Sequence, residues 1–172
     1  MGIEELVMGV RTPGGIQLQA ESFGWRMDND NGDSEGLHYA NRDDRLGIDF
    51  SVQKLPFADL HVLDPRYLVI APASRNEKHR HAHESIFVVM EGEAQIAVGD
   101  QLLTLAEGGV AFVPRWVVHQ TVNLSPTRPL KILAITDFGL TSAVLGDYDA
   151  RTRLKAAGAD AFAVAHAPAV SE

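Results

Sequence analysis

No cysteine occurs among the 172 residues. That excludes disulfides and thiolate ligation, and it makes a reducing compartment the natural setting. Any metal held by this chain must therefore sit among nitrogen and oxygen donors. No apolar run approaches the roughly 18 residues that a membrane-spanning helix needs, so no membrane partner is expected. The start of the chain, Met1-Gly2-Ile3-Glu4-Glu5, lacks the basic opening of an export signal, and a cytoplasmic location is expected. A basic surplus is also missing. The net charge is −8 and the pI about 5.3, which argues against nucleic acid as the partner. A small-molecule substrate is compatible with all of these absences.

The chain contains a long series of short apolar runs: Ile48–Val52, Tyr67–Ile70, Ile86–Met90, Gln95–Val98, Gln101–Leu105, Val110–Val113, His119–Val122 and Leu130–Ile135. Turn formers separate them: Asp64-Pro65, Glu91-Gly92, Gly99-Asp100, Gly108-Gly109 and Ser125-Pro126. Many short strands at this spacing predict an all-β sandwich or barrel. No long helical pattern lies between them, so parallel βαβ units are not expected. No internal repeat is visible, which favours one barrel.

Three segments follow. Residues 1–45 are a polar N-terminal extension with one short strand at Ile16–Ala20. Within it, the acidic run Asp28–Gly36 is read as a solvated loop, because it lacks the closing glutamate of a calcium loop. Residues 46–138 form the barrel. Residues 139–172 hold a short C-terminal helix, expected over Ser142–Lys155, and a loose tail.

Three of the seven histidines fall in Lys78-His79-Arg80-His81-Ala82-His83-Glu84. On a strand, alternate side chains share a face, so His79 and His81 can grip one ion together. His119, at the start of a later strand, is the best third ligand. A histidine-rich surface stretch is the alternative, and HxH by itself is a weak signal.

The surrounding residues decide between these. Residues 79–92, HRHAHESIFVVMEG, resemble the first cupin motif, and residues 108–123, GGVAFVPRWVVHQTVN, resemble the second through Gly108 or Gly109, Pro114, His119 and Asn123. The resemblance spans about residues 66–138. It implies a jelly-roll barrel (a double-stranded β-helix) with a divalent metal at its centre. Three positions depart from the pattern. Ala73 and Trp116 stand where the motifs often have glycine. Ser85 occupies the position that usually supplies a ligand glutamate, and a serine hydroxyl is a poor ligand for a divalent ion. Glu84 lies on the opposite face unless a bulge shifts the register. His83 shares the face of His79 and His81, and it too is carried as a less favoured ligand.

The site is similar to that of three-histidine cupin dioxygenases of the gentisate-type and diketone-cleaving kinds. That similarity implies a non-heme Fe(II) dioxygenase that oxidises or cleaves a small aromatic or dicarbonyl substrate with O2. Zn, Ni, Mn or Cu also suit such ligands. Cupins host many chemistries, so a metal-dependent isomerase, lyase or hydrolase and a non-catalytic small-ligand-binding barrel stay open. Pocket positions are expected at Arg66, Tyr67, Phe87, Gln95, Arg115 and Trp116. The arginines among them could meet a substrate anion or simply face water. Gln95, Gln120 and Asn123 could orient the imidazoles or, at least as readily, be plain surface residues. The exposed barrel edges point to a homodimer, an expectation that light scattering measures.

Overall fold

The computed structural model describes residues 37–57, 60–145 and 153–155. Eleven strands are formed there: β1 Leu37–Asp43, β2 Ile48–Lys54, β3 Asp64–Ile70, β4 His79–His81, β5 Ser85–Glu91, β6 Glu93–Val98, β7 Gln101–Ala106, β8 Val110–Val113, β9 His119–Asn123, β10 Leu130–Thr136 and β11 Arg153–Lys155. One helix, α1, spans Phe138–Leu145. The strands form a six-stranded sheet, in the order β1-β2-β3-β10-β5-β8, and a five-stranded sheet, in the order β11-β4-β9-β6-β7. All named pairs are antiparallel. This is the all-β sandwich or barrel expected from the runs and turns, and it has the jelly-roll form that the resemblance implies.

Alternation explains why these segments become strands. In β10 the residues Leu130, Ile132, Ala134 and Thr136 are buried, and Lys131, Leu133 and Ile135 between them are half-buried. One face thus turns to the core and the other away from it. The core takes Ile48, Phe50, Leu68, Ile70, Phe87, Val89, Ile132 and Val113 from the larger sheet, and Ala94 and Ile96 from the smaller. Opposite the core, the edge strand β8 and its neighbour β5 leave Val110, Phe112 and Ile86 exposed.

Several sequence expectations are corrected here. Leu37–Asp43, placed in the polar extension, is a full edge strand paired with β2. Asp64 and Pro65 open β3 instead of forming a turn. The helix expected over Ser142–Lys155 begins earlier, at Phe138, and Arg153–Lys155 forms a strand against β4. These segments are short and polar or weakly patterned, and their state is fixed by the strand beside them. The expected strand Ile16–Ala20 and the acidic loop Asp28–Gly36 lie outside the described residues.

Among the described residues, two that are not glycine have positive φ: Ala73 at 53° and Trp116 at 60°. They are the two positions noted in the sequence as usually glycine. A left-handed conformation costs an L-residue roughly 1–2 kcal/mol, and glycine gives back part of that gain through its freer unfolded chain. Ala73 keeps its place because its N–H donates to the Ser125 carbonyl at 2.8 Å. Ala73→Gly is expected to stabilise the fold by about 0.5–1 kcal/mol, measured as a higher denaturant midpoint. An unchanged or lower midpoint would show that the bend carries no strain.

Candidate metal centre

The two short strands β4 and β9 pair through His79 and His119. A cross-strand pair puts both side chains on one face, and His81 lies two residues further along the same face of β4. The three rings meet inside the barrel. Ring centroids are 4.3 Å apart for His79 and His119, 4.6 Å for His81 and His119, and 5.4 Å for His79 and His81. One nitrogen from each of the three lies within 4.8 Å of the other two. All three are buried, His119 completely.

The tautomers follow from the backbone. Nδ1 of His79 lies 2.8 Å from the Glu77 carbonyl, Nδ1 of His81 2.9 Å from the His83 carbonyl, and Nδ1 of His119 3.0 Å from the Val117 carbonyl. A carbonyl only accepts, so each Nδ1 carries the proton and donates it. The lone pair of each neutral ring then sits on Nε2. This is the arrangement a metal-binding histidine requires, with the second nitrogen fixing ring orientation and tautomer. The residues present therefore suit a divalent ion of the kind that accepts imidazole.

The lead into β4 is tied to β9 by Asn76. Its side-chain oxygen accepts the Thr121 N–H at 2.7 Å, and its carbonyl accepts the Gln120 side-chain N–H at 2.9 Å. The loop after β4 is fastened on the other side. The Glu84 N–H donates to Asp137 at 2.9 Å, Arg115 donates to the Ala82 carbonyl at 2.7 Å and pairs with Asp137, and the Trp116 N–H donates to the His81 carbonyl at 2.8 Å. The hydrogen bond that Arg115 donates to Asp137 is the main cause that holds its guanidinium above the ordinary pKa; burial opposes it, and the charges of Asp137 and Glu84 add to it. Both loops that flank the histidine strand are thus held.

A cavity of about 70 Å³ opens beside the imidazoles. Its apolar wall is Phe50, Val52, Leu68, Phe87 and Ala134. Its polar wall is Arg66, Asn76, His83, Ser85 and Thr136, with His79 and His81. Arg66 donates from Nε (3.0 Å) and Nη2 (2.6 Å) to one oxygen of the buried Asp64, and its guanidinium lies 4.9 Å from the Phe138 ring centre.

Of the expected pocket positions, the structure places Arg66 and Phe87 in the wall. Tyr67 is buried, but on the other face of β3 from Arg66 and Leu68. Gln95 lies on the face of β6 opposite the buried Ala94 and Ile96. Arg115 and Trp116 belong to the loop staple and do not line the cavity. Glu84 is exposed, within 3.7 Å of Arg115, and outside the histidine cluster. His83 is buried and stacks on His81 at 3.6 Å with rings 8° apart, beside the cluster rather than in it. The expected orienting groups are also corrected: main-chain carbonyls hold the rings, Gln120 bonds Asn76, and Asn123 ties loops together. Asn76, Thr136 and the β2 residues of the wall were missed. Alternation along β2 and β10 carries a signal for them, whereas the carbonyl partners have none, because any residue supplies a carbonyl.

Together these features define a jelly-roll barrel with a buried three-histidine centre at one end of its core. Residues 66–136 match the family model for the cupin domain. Among solved structures, the chain resembles a cupin-2 domain from Rhodospirillum rubrum, with 18% identity, 69% of this chain and 74% of that one covered, and a TM-score of 0.55. It also resembles a cupin 2 conserved barrel domain protein from Rhodopseudomonas palustris, with 23% identity, 69% and 75% covered, and a TM-score of 0.53. A third similarity is to salicylate 1,2-dioxygenase from Pseudoaminobacter salicylatoxidans with gentisate adducts, at 12% identity and a TM-score of 0.54. There the match takes 63% of this chain and only 29% of the other. At these identities the likeness concerns the fold. No curated protein matches. No helix among the described residues is long and apolar enough to cross a membrane.

Proposed function

We propose that this barrel is a metal-dependent enzyme in which His79, His81 and His119 hold one divalent ion, and that it acts as a non-heme Fe(II) dioxygenase on a small substrate. The observation that carries the reading is the convergence of three imidazoles, one nitrogen of each within 4.8 Å of the others, while each Nδ1 is already committed to a carbonyl. A bound Fe(II) supplies dioxygen chemistry at the coordination positions the three imidazoles leave open.

The chain's own residues then set the conditions. Neutral imidazoles bring no compensating charge to the ion. Arg66 is neutralised by Asp64, and among the described residues lining the cavity there is no carboxylate. The centre thus keeps its positive charge and favours an anionic chelate over a neutral one. Phe50, Val52, Leu68 and Phe87 keep the far wall dry, which strengthens that attraction. At about 70 Å³ the cavity has roughly half the ~150 Å³ that encloses a benzene ring. It encloses a small dicarbonyl, or the chelating edge of an aromatic acid whose ring stays in the mouth.

The test is O2 uptake by iron-loaded protein with small dicarbonyl and hydroxyaromatic acids. Uptake that is stoichiometric with substrate loss is expected, and zinc-loaded protein should show none. Substrate conversion by the zinc form without O2 uptake would replace this reading with a hydrolase, lyase or isomerase.

A further inference from the structure

One polar group at the centre has no task in the fold. Ser85 opens β5, is 1% exposed, and faces the cavity in register with Phe87 and Val89. Its Oγ is buried and has no hydrogen-bond partner. The nearest hydroxyl by strand register is Thr136, directly opposite on β10. That hydroxyl donates to the Asp64 carbonyl at 3.2 Å and accepts the Phe138 N–H at 3.2 Å, and no hydrogen bond joins it to Ser85. The neighbour on the other side, Val113, has nothing to offer. A buried hydroxyl left unpaired is costly, and such groups in native proteins call for an explanation. Alanine would fill the same space without that cost.

We infer that Ser85 is a substrate-positioning residue, whose hydroxyl donates to an oxygen of a small anionic chelate bound at the three-histidine centre. This rests on the metal reading above and adds the group that orients the ligand within it. The chemistry fits on three counts. The hydroxyl is on the polar wall with the imidazoles. The positive centre attracts an oxyanion. A bond from a neutral donor to a charged acceptor is stronger than one between neutral groups. Arg66, held by Asp64, and Ser85 then have separate roles, the first structural and the second directed at the ligand.

The experiment uses full-length protein loaded with Co(II) under anaerobic conditions, with pyruvate as the probe. Pyruvate offers a carboxylate and a keto oxygen to one ion. Its dissociation constant is read from the cobalt visible spectrum for wild type and Ser85→Ala, alongside cobalt content and melting temperature. The expected result has three parts: one cobalt per chain in both proteins, an equal or higher melting temperature for the variant, and pyruvate binding weakened about tenfold or more. A merely structural serine would instead lower the melting temperature or the cobalt content, and that overturns the assignment. Equal pyruvate affinity in two intact, cobalt-loaded proteins overturns it as well, while leaving the metal centre standing. Failure of the wild type to hold cobalt overturns the centre itself, and the role of Ser85 with it.

Discussion

His81→Ala is expected to abolish stoichiometric metal binding while leaving the barrel folded. His81 supplies one of three convergent nitrogens, and no carboxylate among the described residues joins the cluster to replace it. Removing even a group that merely orients a ligand typically costs 10–100-fold in metal affinity, so losing one of three ligands should cost more than about 100-fold. The effect on the fold should be small by comparison. The ring sits beside the cavity, its backbone pairing to β11 does not depend on the side chain, and its Nδ1 bond is to the local His83 carbonyl. Elemental analysis of protein purified without an affinity tag checks this. Near-stoichiometric iron in wild type and none in the variant is the expected pair of values. A variant that keeps its metal would remove His81 from the ligand set.

Asn123→Ala should do the reverse, costing stability and sparing the metal. Asn123 is 1% exposed. Its Nδ2 donates to the carbonyls of Ile70 (3.1 Å), Ala71 (3.0 Å) and Arg128 (2.8 Å), and its Oδ1 accepts the Ser125 N–H at 2.9 Å. One side chain therefore ties the end of β3 to the β9–β10 turn. Each such bond is worth about 1 kcal/mol net, and buried partners left unpaired add to the loss. The expected destabilisation is about 3–4 kcal/mol, or a melting temperature lower by on the order of 10 °C. Cobalt bound per folded chain should not change, because Asn123 touches no imidazole and does not line the cavity. If stability held and metal were lost, Asn123 would be an orienting group for His119, as its place four residues downstream first implied.

These two residues show how unevenly the site could be read. The spacing of His79 and His81 is sufficient to put both rings on one face of any strand, because the period of two is a property of the extended chain. The turn formers Glu91-Gly92, Gly99-Asp100, Gly108-Gly109 and Ser125-Pro126 likewise separate β5 from β6, β6 from β7, β7 from β8 and β9 from β10. Asn123 has no such local logic. Its three carbonyl acceptors come from β3, the residue after it and a later turn, and only the closed barrel brings them together. Arg66 and Tyr67 make the same point at closer range. They are adjacent in sequence and both buried, yet one lines the cavity and the other faces away. Which of the two points inward is a question of register, and register is set by pairing with β2 and β10.

The sequence by itself determined the class of fold, the exclusion of sulfur from any metal centre and the shared strand face of His79 and His81, since composition, strand period and turn chemistry are local; His119 was legible only through the motif around it. Only the tertiary structure decided which nitrogen of each ring faces its partners, because the deciding carbonyls of Glu77, His83 and Val117 are main-chain groups that no side chain announces. It also decided that Arg115 and Trp116 fasten a loop and that Ser85 faces the cavity without a partner. Each of those outcomes depends on which strands lie side by side, and strand pairing is made by burial of the whole core rather than by any one segment.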